Sequence, residues 1–248
     1  MSLTLKLALT PLLVAQALAT RRRLPRLPEP AGPREGLAGA GLPLRLLVAG
    51  DSSAAGVGVA TQSEALAARL AEALAGGCGA QVRWRLLARS GLTTAQTHAL
   101  LREADRLAPG GLHADVAVVV TGVNDVVEQV PSHRAVQARA ALADWLRNGH
   151  GVQHVVFAPL PPVHHFPGLP QPLRWVAGSD ARRHDRALRD WAATRGDVSH
   201  VVMELPLNRG VMAADGFHPG AAVYRITATA LAEHIARDVW PRLNRPRP

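Results

Sequence analysis

Two short segments far apart in the chain hold residue types that could transfer a proton and attack a carbonyl. Gly50-Asp51-Ser52-Ser53-Ala54-Ala55-Gly56 follows an aliphatic run, and Asp215-Gly216-Phe217-His218-Pro219 precedes the last helix-like stretch. A serine immediately beyond a strand, at the start of a helix-like turn, exposes its hydroxyl at the sheet edge. Its own N–H points the same way, ready to donate to an oxyanion. Serine is a poor nucleophile until a base takes its proton, and histidine titrates in the right range. A carboxylate three residues earlier, in a tight Gly/Pro loop, could accept from the ring N–H, fix the tautomer and stabilise the imidazolium. Each piece also has an ordinary reading. Gly-Asp-Ser is common turn chemistry, and a lone histidine is more often structural. The chain has 11 histidines, but the other ten, including His164-His165, lack a nearby carboxylate in a Gly/Pro turn. Asp185 beside His184 lies in a charge-laced helix.

Two more polar breaks follow aliphatic runs. In Arg89-Ser90-Gly91 a glycine would let a backbone N–H approach a ligand closely, or simply make a turn. In Gly122-Val123-Asn124-Asp125 the Asn124 amide could supply an oxyanion donor, or else cap a helix or make an Asx-turn. Ala54, Ala55, Gly56 and Gly58 are small and would leave room for a substrate.

The elements that must position these residues are legible as an alternation. Residues 44–49, 82–88, 115–121, 152–158 and 199–203 are short and rich in branched aliphatics, and 115–121 is apolar without alternation, as a strand covered on both faces should be. Helix-like stretches lie at 63–75 (Ser63 as N-cap), 94–107, 132–148, 180–195 and 221–240. Five strands alternating with five helices predict an α/β domain, a parallel sheet with helices on both faces, over 44–240. Ligands of such sheets bind beyond the carboxyl ends of the strands, where the polar segments fall.

In this order and at these positions, Gly-Asp-Ser, Gly91, Gly-x-Asn-Asp and Asp-x-x-His resemble the SGNH (GDSL-like) hydrolases, named for Ser, Gly, Asn and His. The resemblance spans about residues 44–236. It implies a three-layer α/β/α sandwich, flavodoxin-like, with a central five-stranded parallel sheet. It also implies a serine esterase that works through an acyl-enzyme without metal or cofactor. By the same resemblance, Ser52 looks like the nucleophile and first oxyanion donor, Gly91 the second donor and Asn124 the third. His218 looks like the general base and Asp215 its partner. The glycine block is abbreviated here, so Gly91 departs most from the family pattern. Neither GxGxxG nor a Walker loop follows the first strand, which argues against a nucleotide site.

Charge and composition bound the partners. Lys and Arg number 28 against 19 acids, a formal +9. Residues 1–34 carry +5 and 237–248 carry +3, which leaves +1 on the body. A groove that tracks phosphates needs its basic charge on the folded body, so nucleic acid is not an expected partner. The single cysteine, Cys78, allows no internal disulfide, and no Cys/His cluster suggests a metal.

Residues 1–23 hold an uncharged, mostly apolar run, 7–20, between Lys6 and the triplet Arg21-Arg22-Arg23. It is short for a bilayer span and fits a signal segment or one lying in the membrane interface; the alternative is a helix packed on the domain. Localisation is thus expected to be membrane-associated or exported, with cytoplasmic as the alternative. Residues 24–43 read as a Pro/Gly linker and 241–248 as a basic tail. Pro159–Asp180 is long for a loop here, and its Phe166 and Trp175 are expected to wall an acyl pocket or, as the plain alternative, to pack on the neighbouring helices. The expected substrate is a short- to medium-chain or lipid-like ester. Acetylated carbohydrate, a thioester or a lysophospholipid would suit the same machinery, and a catalytically silent envelope-binding relative is the reading outside enzymes.

Overall fold

Four of the five aliphatic runs form the strands they predict, the run 199–203 is in a strand only at 199–200, and one strand has no such run. The computed structural model describes residues 3–244, with side chains of its first helix from residue 8 onward. Its strands are β1 Glu35–Ala38, β2 Leu42–Gly50, β3 Ala80–Ala88, β4 Val116–Val120, β5 His154–Phe157 and β6 Val198–His200. They make one sheet in the order β1-β3-β2-β4-β5-β6. All neighbours are parallel except β1, which runs antiparallel to β3 with Gly36 opposite Trp84. The expected five-stranded parallel sheet is therefore six-stranded and mixed. Without β1, the parallel strands follow the flavodoxin order, whose switch point falls between its first and third strands, here β2 and β4.

The extra strand lies inside the segment read as a linker. Leu86 N–H donates to the Arg34 carbonyl at 2.7 Å and Gln62 N–H to the Ala31 carbonyl at 2.8 Å. Composition marked residues 24–43 as extended and turn-rich; tertiary hydrogen bonds turn part of that stretch into a sheet edge.

The helices are α1 Leu3–Arg23, α2 Ser52–Ala55, α3 Leu66–Cys78, α4 Thr94–Leu107, α5 Val123–Val127, α6 Ser132–Gly149, α7 Leu173–Ala192 and α8 Ala221–His234. A π-helical turn, Ile235–Val239, leads from α8 into α9, Trp240–Leu243. Of the basic tail expected at 241–248, residues 245–248 lie outside the described ones, as do residues 1–2 of the N-terminal segment. Alternate residues of the central strands supply two cores. Leu46, Val48, Val116 and Val118 pack with Leu66, Leu70 and Leu74 of α3 and Leu231 of α8. Leu47, Ala49, Ala117 and Val119 pack with Leu101 of α4, Leu142 of α6 and Leu188 of α7. Ser63 caps nothing: it lies in a 3-10 turn, Gln62–Glu64, held by Thr61 and Glu64, and α3 starts after it.

The segment after Ser52 serves packing, not substrate room. Ala54 and Ala55 are fully buried in the first core. Gly58, at φ +110°, lets the backbone of this segment approach that of the loop before α8: a Cβ there would lie 2.1 Å from the Pro219 carbonyl oxygen. The buried Tyr224 hydroxyl donates to the Val57 carbonyl at 2.7 Å. Two loops far apart in sequence are thereby locked together.

Gly58→Ala should destabilise the fold by roughly 2–4 kcal/mol, because positive-φ strain and a backbone collision coincide. Gly79→Ala is the control: φ is +58° and nothing lies within 4 Å of the added Cβ, so only about 1–2 kcal/mol is expected. Urea denaturation of both variants measures the difference, and equal costs would mean that the collision is relieved by loop movement.

Candidate active site

Ser52 opens α2 directly beyond β2, with Asp51 as the N-cap accepting from Ser53 N–H at 2.9 Å. Its hydroxyl lies 3.0 Å from Nε2 of His218. On the other side of the ring, Nδ1 lies 2.6 Å from Oδ2 of Asp215. The second oxygen, Oδ1, accepts from the backbone N–H groups of Phe217 and His218, both at 2.9 Å. Burial raises the Asp215 pKa, but the hydrogen bonds from the His218 ring and the two amides outweigh it and hold the carboxyl below its usual range. An ionised carboxylate only accepts, so Nδ1 carries the proton and Nε2 presents its lone pair to the serine hydroxyl.

Asn124 sits in α5, beyond β4, across the switch point from Ser52. Its amide nitrogen donates to the Leu92 carbonyl at 3.0 Å and makes a longer contact, 3.4 Å, with Oδ2 of Asp51. Gly91 forms the exposed turn after β3 at φ +84° with open space around it. It is not among the residues that line the cavity described below. The neighbouring Ser90 is anchored, however: its N–H and its hydroxyl both donate to Glu29 Oε1 at 2.8 Å, and Glu29 is paired with Arg34 at 3.0 Å. Glu29 and Arg34 were not singled out in the sequence. Their signal was a few charges, Arg26, Glu29, Arg34 and Glu35, standing in an otherwise Pro/Gly-rich stretch.

Beneath Ser52 and Asn124 lies a buried polar layer. Asp125 accepts from the Thr94 hydroxyl at 2.6 Å and stands 3.7 Å from Arg139, a fully buried side chain that donates to the Thr121 carbonyl at 3.4 Å. Burial lowers the Arg139 pKa, opposed by Asp125. Burial, with a smaller contribution from the Asp125 charge, pushes Asp51 up to about 7 against the Ser53 amide and His218. Sequence reading passed over Arg139, although it interrupts the apolar stripe Ala135, Leu142, Ala143 and Leu146 of α6.

Next to the Ser52–His218 pair opens a cavity of about 70 Å³. Val120, Ala158, Met203, Leu205, Leu207 and Met212 give it an apolar lining, and Phe166 closes one side. Phe166 is 3% exposed and meets Phe217 edge-on, with ring centroids 5.1 Å apart. Trp175 does not take the wall position expected of it. The helix of this region starts at Leu173, seven residues earlier than read, and carries Trp175 to the surface at 42% exposure. The lining from 203 to 212 had no sequence signal beyond scattered apolar residues.

A second set of the same residue types lies elsewhere. The Ser199 hydroxyl is 2.7 Å from Nε2 of His234, whose Nδ1 is 3.0 Å from Asp238, while Nε2 of His154 stands 3.0 Å from the same hydroxyl. Two rings thus enclose one hydroxyl and tie β5, β6 and α8 together. Among the described residues, no three His, Cys, Asp or Glu side chains converge to hold a metal ion.

The chain is similar to several known proteins. A GDSL-like esterase of Mycobacterium tuberculosis is 28% identical over 194 residues, covering 76% of this chain; the chain spans about 60% of that relative's length. Among solved structures, a lipase from a goat rumen metagenome superposes with a TM-score of 0.59 at 16% identity, covering 79% of this chain and 98% of that one. The inhibitor-bound aryl esterase of M. smegmatis gives 0.58 at 18% identity, covering 79% and 100%. At such identities the likeness is one of fold. The model of the GDSL-like lipase/acylhydrolase family matches residues 48–226, from β2 into α8, and the chain belongs to that family.

Proposed function

We propose that this protein is a serine esterase that hydrolyses short-chain carboxylic esters through an acyl-enzyme on Ser52. The observation that carries the reading is the polarised chain from Ser52 through His218 to Asp215, standing at the edge of an apolar cavity. His218 Nε2 takes the Ser52 proton as Oγ attacks the ester carbonyl. The same proton then goes to the leaving alcohol, and water repeats the attack with the same base. Asp215 steadies the imidazolium in both halves.

The developing oxyanion needs donors already aimed at it. Ser52 N–H lies in the first turn of α2, where helices leave their amides without intrahelical partners. The Asn124 amide reaches the same space if the substrate oxygen replaces its long contact to Asp51, the weaker of its two. Gly91 N–H is the third candidate, on a turn that Glu29 holds through Ser90.

Cavity size and lining support the substrate class. A water-sized group occupies roughly 10–15 Å³ on this measure, so the space takes about five such groups, the length of a short acyl chain. An acetylated carbohydrate would leave most of the apolar lining unused.

Fluorophosphonate labelling tests the chemistry. Wild type should label at one serine, and both Ser52→Ala and His218→Ala should lose labelling and about 10⁴-fold or more in turnover. Labelling that survives Ser52→Ala would refute the assignment. Across p-nitrophenyl esters, kcat/KM should peak at roughly four to six acyl carbons, and Leu207→Trp, which fills the cavity, should move the optimum to acetate. An optimum indifferent to Leu207→Trp would place the acyl group elsewhere.

The pH dependence of stability follows from Asp51. Folded, its carboxyl keeps the proton to about pH 7; unfolded, it releases it near the ordinary 3.8. The contribution is fully present below that lower value and is lost as pH rises through about 7. From pH 5 to 8, wild type should lose on the order of 2 kcal/mol more than Asp51→Asn. Urea midpoints at the two pH values read this directly, and parallel curves would show Asp51 ionised throughout.

A further inference from the structure

Helix α1 is attached to the domain along one stripe only. Leu9, Leu13, Gln16 and Thr20, spaced at helical intervals, are the positions of 8–20 that are at least partly covered. Gln16 donates to the Gln171 carbonyl at 2.7 Å and accepts from Leu173 N–H at 3.1 Å. Arg23, at the helix end, donates to the Gly168 carbonyl at 3.2 Å. The rest of 8–20 faces outward and, Thr10 apart, is apolar: Leu12, Val14 and Leu18 are each about half exposed, at 46%, 52% and 53%. At its carboxyl end Arg21, Arg22 and Arg26 gather around Leu18 and Leu24, and no acidic residue precedes Glu29.

We propose that α1 docks this protein on the surface of a membrane that carries anionic lipid. The outer apolar side enters the acyl boundary, while Arg21, Arg22 and Arg26 meet the headgroups. Three features commit the occupant to lipid. The exposed side chains wrap more than one face of the helix, which suits immersion better than a single flat protein contact. The adjoining charge is of one sign and complements an anionic surface. No described helix is long and apolar enough to cross a membrane, and the covered stripe of α1 is held by the domain, which leaves its outer side as the part that can enter lipid.

The inner stripe gives docking a consequence for the site. Gln16 and Arg23 hold the 166–173 segment, which carries the Phe166 wall. Gly168 N–H donates to the Gly216 carbonyl at 2.9 Å, inside the loop that bears Asp215 and His218. A membrane bound by α1 is thus coupled through one short segment to the cavity entrance. This part rests on the esterase reading above; lipid binding by α1 does not.

Vesicle co-sedimentation of the full-length chain is the test. Vesicles of phosphatidylcholine alone are compared with vesicles containing about one part phosphatidylglycerol in four. Each arginine near an anionic surface strengthens binding about fivefold, so wild type should bind the anionic vesicles at least tenfold more tightly. That preference should fade as salt rises from about 0.05 to 0.5 M. Arg21→Glu/Arg22→Glu/Arg26→Glu and Leu12→Ser/Val14→Ser/Leu18→Ser should each weaken binding about tenfold or more. Both should keep wild-type turnover of a soluble ester, since none of these side chains touches the site. No binding to anionic vesicles, or binding that both triple variants retain, would overturn the proposal. So would a dimer abolished by the serine variant without any vesicle binding, which would make a second copy the occupant. Normal vesicle binding with no turnover of any ester would leave docking intact and remove the esterase reading.

Discussion

The hydrogen bond between Ser52 Oγ and His218 Nε2 is the interaction on which everything else in this molecule converges. It joins groups 166 positions apart in sequence at 3.0 Å, and a displacement of about 1 Å would leave an ordinary hydroxyl and an ordinary imidazole. The sheet fixes one side, since β2 pairs with both β3 and β4 and delivers α2 at the switch point. The other side is a loop with little regular structure, and hydrogen bonds within it replace that support. Ala213 N–H donates to the His218 carbonyl, Gly220 N–H to the Val211 carbonyl, and Asp215 accepts from two amides besides the ring. Gly58 against Pro219 and Tyr224 against Val57 then bring the two sides together. Asp215 therefore has two tasks, orienting the imidazole and folding the loop that carries it.

Burying three ionisable groups under this contact has a cost. Asp51, Asp125 and Arg139 are all 3% exposed or less, and each buried ion forfeits several kcal/mol of hydration. One guanidinium cannot neutralise two carboxylates. The conflict is resolved by holding Asp51 protonated up to about neutral pH, which leaves Asp125 opposite Arg139 as the charge pair. The layer joins α4 through Thr94, the residue after β4 through the Thr121 carbonyl and α6 through Arg139. It thereby sets the tilt of α5, and with it the Asn124 amide. An apolar layer of the same volume would be easier to bury but would leave α5, only five residues long, without a fixed orientation.

How much of this was legible in the sequence depended on how local each cause was. Helix α4 starts where its pattern says, because Thr93 and Gln96 form a reciprocal capping box within four residues. Strands β4 and β5 stand within their aliphatic runs because burial on both faces leaves an unmistakable composition, whereas of the run 199–203 only Ser199 and His200 are in a strand. Strand β1 escaped notice since its cause lies in β3, well further along the chain, and Gly36 owes its place to the Trp84 ring over it. Trp175 was misplaced by a helix start that rests on Pro172, without a side-chain cap. The catalytic candidates could be named from short words in order. The cavity residues between 203 and 212 could not, as their role exists only once an irregular segment has folded back over the sheet.

Ser199, His234 and Asp238 show why words and distances alone are weak grounds for a nucleophile. Their spacings, 2.7 and 3.0 Å, are as short as hydrogen bonds at a working triad need to be. The difference lies in the surroundings of the hydroxyl. Ser199 sits inside a strand, where its own N–H and C=O belong to the sheet, and His154 fills the other side of its oxygen at 3.0 Å. His154 is driven down to about 4, mainly by burial, so it stays neutral and lends that oxygen no positive charge near pH 7. Ser52 occupies the reverse situation: the end of a strand, the first turn of a helix, an amide side chain across the switch point and an apolar space beside it. Residue type and pairwise distance are common to both serines. The backbone amide in a helix's first turn belongs to Ser52, and the space beside it has an apolar lining, whereas the cavity of about 340 Å³ beside Ser199 is lined by Arg189, Arg195 and Arg242.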